Sequence, residues 1–129
     1  MLGHLRPDKR VAGEEVRREV LGDAHVESAR PTPFTAPFQE YITEAAWGAV
    51  WTRPGLDRRT RSCITLAALT ALHCHEELAL HVRAAIRNGL TAEEIGEVIL
   101  HTAVYAGVPA ANSAFQVAQR TLRENGVIE

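Results

Sequence analysis

Apolar residues recur at intervals of three and four along almost the whole chain, and no stretch alternates with a period of two. That pattern predicts helices and no sheet. Residues 8–21 (DKRVAGEEVRREVL) read as a short, polar amphipathic helix that Gly22 stops. The next segment, ESARPTPFTAP, carries three prolines and predicts a connector. Phe38, Tyr41, Ile42, Ala45, Ala46 and Ala49 then mark one face of a helix running to about Trp51, ended by the turn from Thr52 to Gly55. Asp57 is a good N-cap for a helix reaching about Leu72, whose second half is apolar on all sides. It is expected to be the central helix, buried on most faces. Glu76 to Asn88 forms another helix, with Asn88-Gly89 as its stop. Thr91 opens a capping box with Glu94 and leads a helix to about Ala106. Gly107 and Pro109 interrupt, and a last helix runs from about Pro109 to Glu124. The expectation is an all-α, single-domain helical bundle of about six helices over residues 1–129. Residues 1–30 supply an N-terminal helix and connector, and 31–126 the core.

Composition narrows the function classes. The chain has 129 residues, 46% hydrophobic and 23% charged, with a net charge of −2, and no basic face suggests nucleic-acid binding. Lys9 is the only lysine, so the positive charge is nearly all arginine, the planar, bidentate carboxylate binder. MLGHLRPDKR contains no apolar core of a secretory signal. The longest apolar run, CITLAALTAL from Cys63 to Leu72, is too short to span a bilayer. On one helix, Cys63 and Cys74 would lie roughly 16 Å apart, beyond disulfide reach. Reduced thiols in a cytoplasmic protein are expected.

Two clusters carry candidate chemistry. The run HCHEELALH, His73 to His81, holds three histidines, a cysteine and two glutamates. Cys74, Glu77 and His81 share a helix face, but spread over two turns they suit a single metal ion poorly, and no metal site is expected. A thiol redox site needs a second sulfur nearby, and the position three after Cys74 is Glu77. Acid–base chemistry needs neither: His81, on the face with Leu78 and Ala85 and one turn after Glu77, is a plausible proton donor, or else a hydrogen-bonded core histidine. His101 has the same two readings. The second cluster is Arg58, Arg59 and Arg61 in the first turn of a helix, with Arg53 just before. Cations there oppose the helix dipole. They either pair with Glu40, Glu44 or another subunit, or form a pocket for a carboxylate.

Three runs, FTAPFQEYITEAAWGAVWTRPGLDRRTRS, EELALHVRAAIRNGLTAEEIGEVIL and VYAGVPAANSAF, resemble the carboxymuconolactone decarboxylase family of the alkylhydroperoxidase D-like superfamily. The likeness spans about Val16 to Leu122. The superfamily's redox branch carries CxxCxxxH after an upstream glutamate. With its histidine placed on His81, the second cysteine falls on Glu77 and the glutamate on Ser62. Cys74, its neighbours His73 and His75, and His101 also depart from the decarboxylase pattern. The resemblance implies cofactor-free loss of CO₂ from 4-carboxymuconolactone, giving the enol-lactone of β-ketoadipate in protocatechuate breakdown. It implies a ring-like homo-oligomer, hexamer or trimer. Expected roles are His81 as proton donor or dienolate stabiliser, oriented by Glu77, with Arg53 and Arg58 on the carboxylates of a lactone dicarboxylate. Trp47 or Trp51 would form an apolar wall, and Glu40 and Glu44 would complete the site. A thiol-dependent peroxidase or disulfide reductase, and a non-catalytic ligand-binding homologue, are the rival readings.

Overall fold

The structure is a computed structural model that describes residues 7–129; the opening residues of MLGHLRPDKR lie outside it. The described residues form α1 (Pro7–Leu21), α2 (Asp23–Ser28), α3 (Ala36–Ile42), a π-helical segment (Thr43–Gly48), α4 (Arg58–Ala71), α5 (His75–Arg87), α6 (Ala92–Ala106) and α7 (Val108–Glu124). The fold is all-α, with no strand among the described residues. Helices are found at all six expected places. The additions are the single turn and a half of α2 and the π segment. Contacts divide the chain into two compact units that meet at Asp57 and Arg58, inside the stretch read from sequence as the core.

In the first unit α1 packs against the π segment and α2, and α3 leads into the π segment. Val16 and Val20 are buried on α1, one turn apart. The crossing of α1 and the π segment is close because both sides offer glycine. A Cβ on Gly13 would strike the carbonyl oxygen of Thr43 and lie 2.9 Å from the Gly48 nitrogen. A Cβ on Gly48 would strike the Lys9 carbonyl. Of the apolar stripe over 38–51, Phe38 is 65% and Tyr41 61% exposed, while Ile42, Ala45, Ala46 and Ala49 are half-buried. Thr43, Trp47 and Gly48 are buried. At Thr43 and Gly48 the backbone of α1, at Lys9 and Gly13, comes within contact distance. Thr43 Oγ1 turns inward on itself, donating to the Gln39 carbonyl at 2.7 Å and accepting from Gln39 Nε2 at 3.2 Å.

The second unit is a four-helix arrangement in which α4 touches α5, α6 and α7. Its core joins Leu66, Leu78, Val82, Ile95, Ile99 and Leu122 with the alanines of α7. Ala110, Ala111, Ala114 and Ala118 repeat at helical spacing and let α7 lie close to its neighbours. α4 is central, but it is not buried on most faces. Only Ser62, Leu66 and Thr70 are buried, one residue per turn, and Ile64 is 53% exposed. An apolar composition on every side does not require burial on every side.

Helix ends are set where the sequence placed them. Gly22 and Gly107 have φ of 91° and 102°, left-handed values that suit glycine, and they separate α1 from α2 and α6 from α7. His73 adopts φ 58° without being glycine and turns the chain from α4 into α5. The capping box of α6 is complete: the Glu94 amide donates to Thr91 Oγ1 at 3.1 Å, and the Thr91 amide donates to Glu94 Oε1 at 2.9 Å. Arg59 donates to Glu94 Oε2 at 2.5 Å and also to the Gly89 carbonyl. The start of α4 is thereby fastened to the start of α6.

Candidate active site

In the second unit the candidates are His81, Glu77 and Arg58. His81 lies in the second turn of α5, between the buried Leu78 and Val82. Alternation of buried positions along that helix places it on the shoulder of the apolar stripe rather than at its centre. It is half-buried, with its Nδ1 shut off from solvent. Imidazole is the side chain suited to proton exchange near neutral pH, which makes His81 the candidate proton donor.

Glu77, expected to orient His81, is exposed in the first turn of α5 and is not joined to it by a hydrogen bond. Its position near the N-terminus of α5 gives it another use, since Glu76 and Glu77 are both acidic groups at the positive end of the helix dipole. Arg58 is half-buried at the first position of α4. Of the arginine cluster, Arg59 is committed to Glu94 and Gly89, partners that lie far along the chain and were not among those expected.

Within the first unit the structure brings the two tryptophans together. Trp47 is buried, Trp51 is half-buried, and their ring centroids lie 5.1 Å apart with a 35° tilt. They form one apolar wall, not alternative walls. Glu44 is half-buried on the π segment. Glu40 is exposed and pairs with Arg10 at 3.6 Å. Arg53 is exposed just after the turn that follows Trp51.

The remaining sequence features fall into structural roles. Ser62, where the redox pattern would place its glutamate, is buried and accepts a hydrogen bond from Asn88 Nδ2 at 3.1 Å, tying α4 to the end of α5. Cys63 and Cys74 are free thiols. Cys74 is the N-cap residue of α5, and its Sγ lies 3.8 Å from the Leu72 carbonyl. His73 and His75 are exposed with ring centroids 6.2 Å apart. His101 is exposed on α6 and stacks at 5.3 Å on Tyr105, so it is not a core histidine. Among the described residues no group of three His, Cys, Asp or Glu side chains is placed to hold a metal ion. No helix there is long and apolar enough to cross a membrane. Sequence reasoning overlooked two features: the π segment and the positive φ at His73. A shift of a single residue in helical register leaves little trace in a hydrophobic pattern.

The chain belongs to the carboxymuconolactone decarboxylase family, whose model matches residues 36–120. It is 46% identical over 117 residues to 4-carboxymuconolactone decarboxylase of Acinetobacter baylyi, covering 89% of this chain and 87% of that one. It is 51% identical over 114 residues to the nitrosuccinic acid decarboxylase of Metarhizium robertsii, covering 87% and 80%. An uncharacterized 15.0 kDa protein of Paracoccus denitrificans is 35% identical over 85 residues, 64% and 63% of the two chains. The reaction class is that of a carboxy-lyase.

Proposed function

We propose that the protein removes CO₂, without a cofactor, from a small dicarboxylate whose departing carboxylate sits beside a built-in electron sink, with 4-carboxymuconolactone as substrate. The observation that carries the reading is His81, packed into the apolar face of α5 with Nδ1 buried, in a chain nearly half identical to an enzyme of that name. In the lactone, cleavage of the carbon–carboxylate bond sends its electron pair through the ring double bond to the lactone carbonyl. The product of that step is a dienolate, and one proton added to the ring carbon gives the enol-lactone of β-ketoadipate. His81 supplies that proton or stabilises the dienolate oxygen. Arg58 is assigned to a substrate carboxylate, where a guanidinium fork holds both oxygens. Arg53, Glu40, Glu44 and the Trp47–Trp51 wall are assigned to substrate binding on their chemistry.

The 51% identity to a nitrosuccinic acid decarboxylase supports a second substrate reading. There the electron pair of the broken bond would flow into the nitro group, and the resulting nitronate would take its proton on carbon. The same residue types serve both substrates: cations for two carboxylates and one proton donor.

The test is turnover of each substrate, with released CO₂ trapped, by EDTA-treated wild type, His81→Ala and Glu77→Gln. Chelator-insensitive turnover is expected, with kcat falling about 10²–10⁴-fold in His81→Ala. Glu77→Gln should retain activity within a few fold, since that carboxylate is exposed and not bonded to His81. Equal activity in wild type and His81→Ala would refute the assignment. The substrate with the higher kcat/KM decides between the two acids, and a working protocatechuate pathway needs the lactone.

We also propose that the protein is a homo-oligomer. α6 exposes Leu100, Val104 and Tyr105, and Val108 follows at the start of α7. Leu100 and Val104, one turn apart, with Tyr105 beside Val104, give α6 an apolar face that a second copy can cover.

A further inference from the structure

Inside the first unit, α1, α2, α3 and the π segment surround a cleft of about 550 Å³. Its wall carries four arginines and three glutamates, and a fourth acid, Asp23, pairs with one of the arginines. Three of the arginines have partners close by. Arg18 donates to Glu27 at 2.7 Å and to Asp23 at 3.2 Å. Arg30 bonds to the other oxygen of Glu27, and Arg10 pairs with Glu40.

Arg17 is different. It is only 7% exposed, yet the nearest acid, Glu14, holds its Oε1 3.7 Å from Arg17 Nη1, beyond hydrogen-bond length. Burial pulls the Arg17 pKa down, and Glu14 only partly restores it. The Glu14 oxygen is itself buried without a hydrogen bond, shared at 3.6 Å with Arg18 Nε. A charge buried this far and bonded this loosely is unfavourable unless another group completes it. The uncharged part of the wall is mostly aliphatic: Val11, Val26, Pro31 and Ala36 line the cleft with Gln39 and Thr43.

We infer that this cleft binds a short-chain aliphatic monocarboxylate, its carboxylate on Arg17 and its tail against Val26. The chemistry selects the ligand in three steps. A guanidinium fork matches a carboxylate or a phosphate. With acids and arginines balanced around the cleft, a monoanion is less repelled than a phosphate dianion. An aliphatic wall rewards a hydrocarbon tail by removing it from water. The cleft volume lies within the usual range for small-molecule sites. The decarboxylation proposed above makes no use of Arg17, and the two readings share only Glu40, which lines this cleft and pairs with Arg10.

Butyrate is the probe, titrated into the whole protein by calorimetry, with acetate and inorganic phosphate beside it. One saturable equivalent of butyrate per chain is expected, with acetate binding more weakly and phosphate not competing. Affinity should fall at least tenfold in Arg17→Met and persist in Arg58→Ala. In ¹⁵N spectra of wild type, the Arg17 side-chain Nε–H resonance should move with saturation, a readout that does not depend on the variant folding. Absence of saturable binding, an unmoved Arg17 resonance, or affinity unchanged in Arg17→Met would overturn the inference. So would loss of binding in Arg58→Ala, which would place butyrate at the substrate carboxylate site, or phosphate competing as an equal.

Discussion

At the residue scale, the least replaceable positions of the first unit are two glycines with no chemistry of their own. Gly13 and Gly48 are where two helical backbones touch. A methyl group on Gly13 meets backbone atoms of Thr43 and Gly48, which cannot rotate away as a side chain would. Gly13→Ala would raise helix propensity if α1 stood alone, by up to about 1 kcal/mol. Overlap with backbone atoms outweighs that gain, because overpacking costs about 1–3 kcal/mol and here the only relief is to part the helices. The expected result is a net loss of about 1–2 kcal/mol in urea denaturation followed by the circular dichroism of the helices. By contrast, Gly55 has nothing within contact distance of a Cβ, so Gly55→Ala should leave stability nearly unchanged. Equal effects at the two glycines would mean that the close crossing does not exist in solution.

At the element scale, the helices that the sequence announces most clearly are those with chemistry at their ends. Thr91 and Glu94 form the expected capping box, and Gly22, Asn88-Gly89, Gly107 and Asn125-Gly126 stop helices as their composition indicates. Less legible was which side of an element faces inward. The stripe over 38–49 is only partly covered, with Phe38 and Tyr41 exposed, because the closest packing in that region is the backbone approach at Gly13 and Gly48, a tertiary property. The apolar second half of α4 misled because hydrophobicity on all sides does not say how many neighbours are present. His81 could be singled out from its spacing on an apolar face, whereas the expected bond from Glu77 required a side-chain direction that spacing does not supply.

The Arg59–Glu94–Thr91 group gives the element scale its own test. Glu94 sits well below the ordinary carboxylate range, chiefly through the Thr91 amide and then through Arg59. A depressed folded pKa stabilises the fold above the unfolded value, about 4.3, and that stability is lost as pH falls through the lower folded value. Glu27 is depressed in the same direction by Arg18 and Arg30. Wild type is therefore expected to lose melting temperature as pH drops below about 4.3, and Glu94→Gln should remove part of that pH dependence while lowering stability at pH 7. A Glu94→Gln profile parallel to wild type across the acid range would show that the carboxylate is not linked to folding.

At the scale of the whole molecule, the question is what happens to apolar surface that the chain does not cover for itself. The second unit buries Ile95, Ile99 and Thr102 on one side of α6 and leaves Leu100 and Val104 on the other. These exposed residues are one turn apart, and Tyr105 is exposed beside Val104. Scattered exposed apolar residues need no explanation, but a continuous row on one helix face is unfavourable in a protein that stays alone. Val104 is 76% exposed in the single chain. In a monomer a charge there would be nearly neutral, within about 0.5 kcal/mol. In an oligomer it would be an unpaired charge at an apolar contact, with a cost of several kcal/mol. Light scattering coupled to size exclusion separates the cases. Wild type is expected at a multiple of 14.1 kDa, and Val104→Glu at a smaller mass with its helical circular dichroism intact. A wild type that elutes as a monomer would remove the oligomer altogether. An oligomer unaffected by Val104→Glu would place the contact on another face, and the α6 row would then be left as surface available to a different partner.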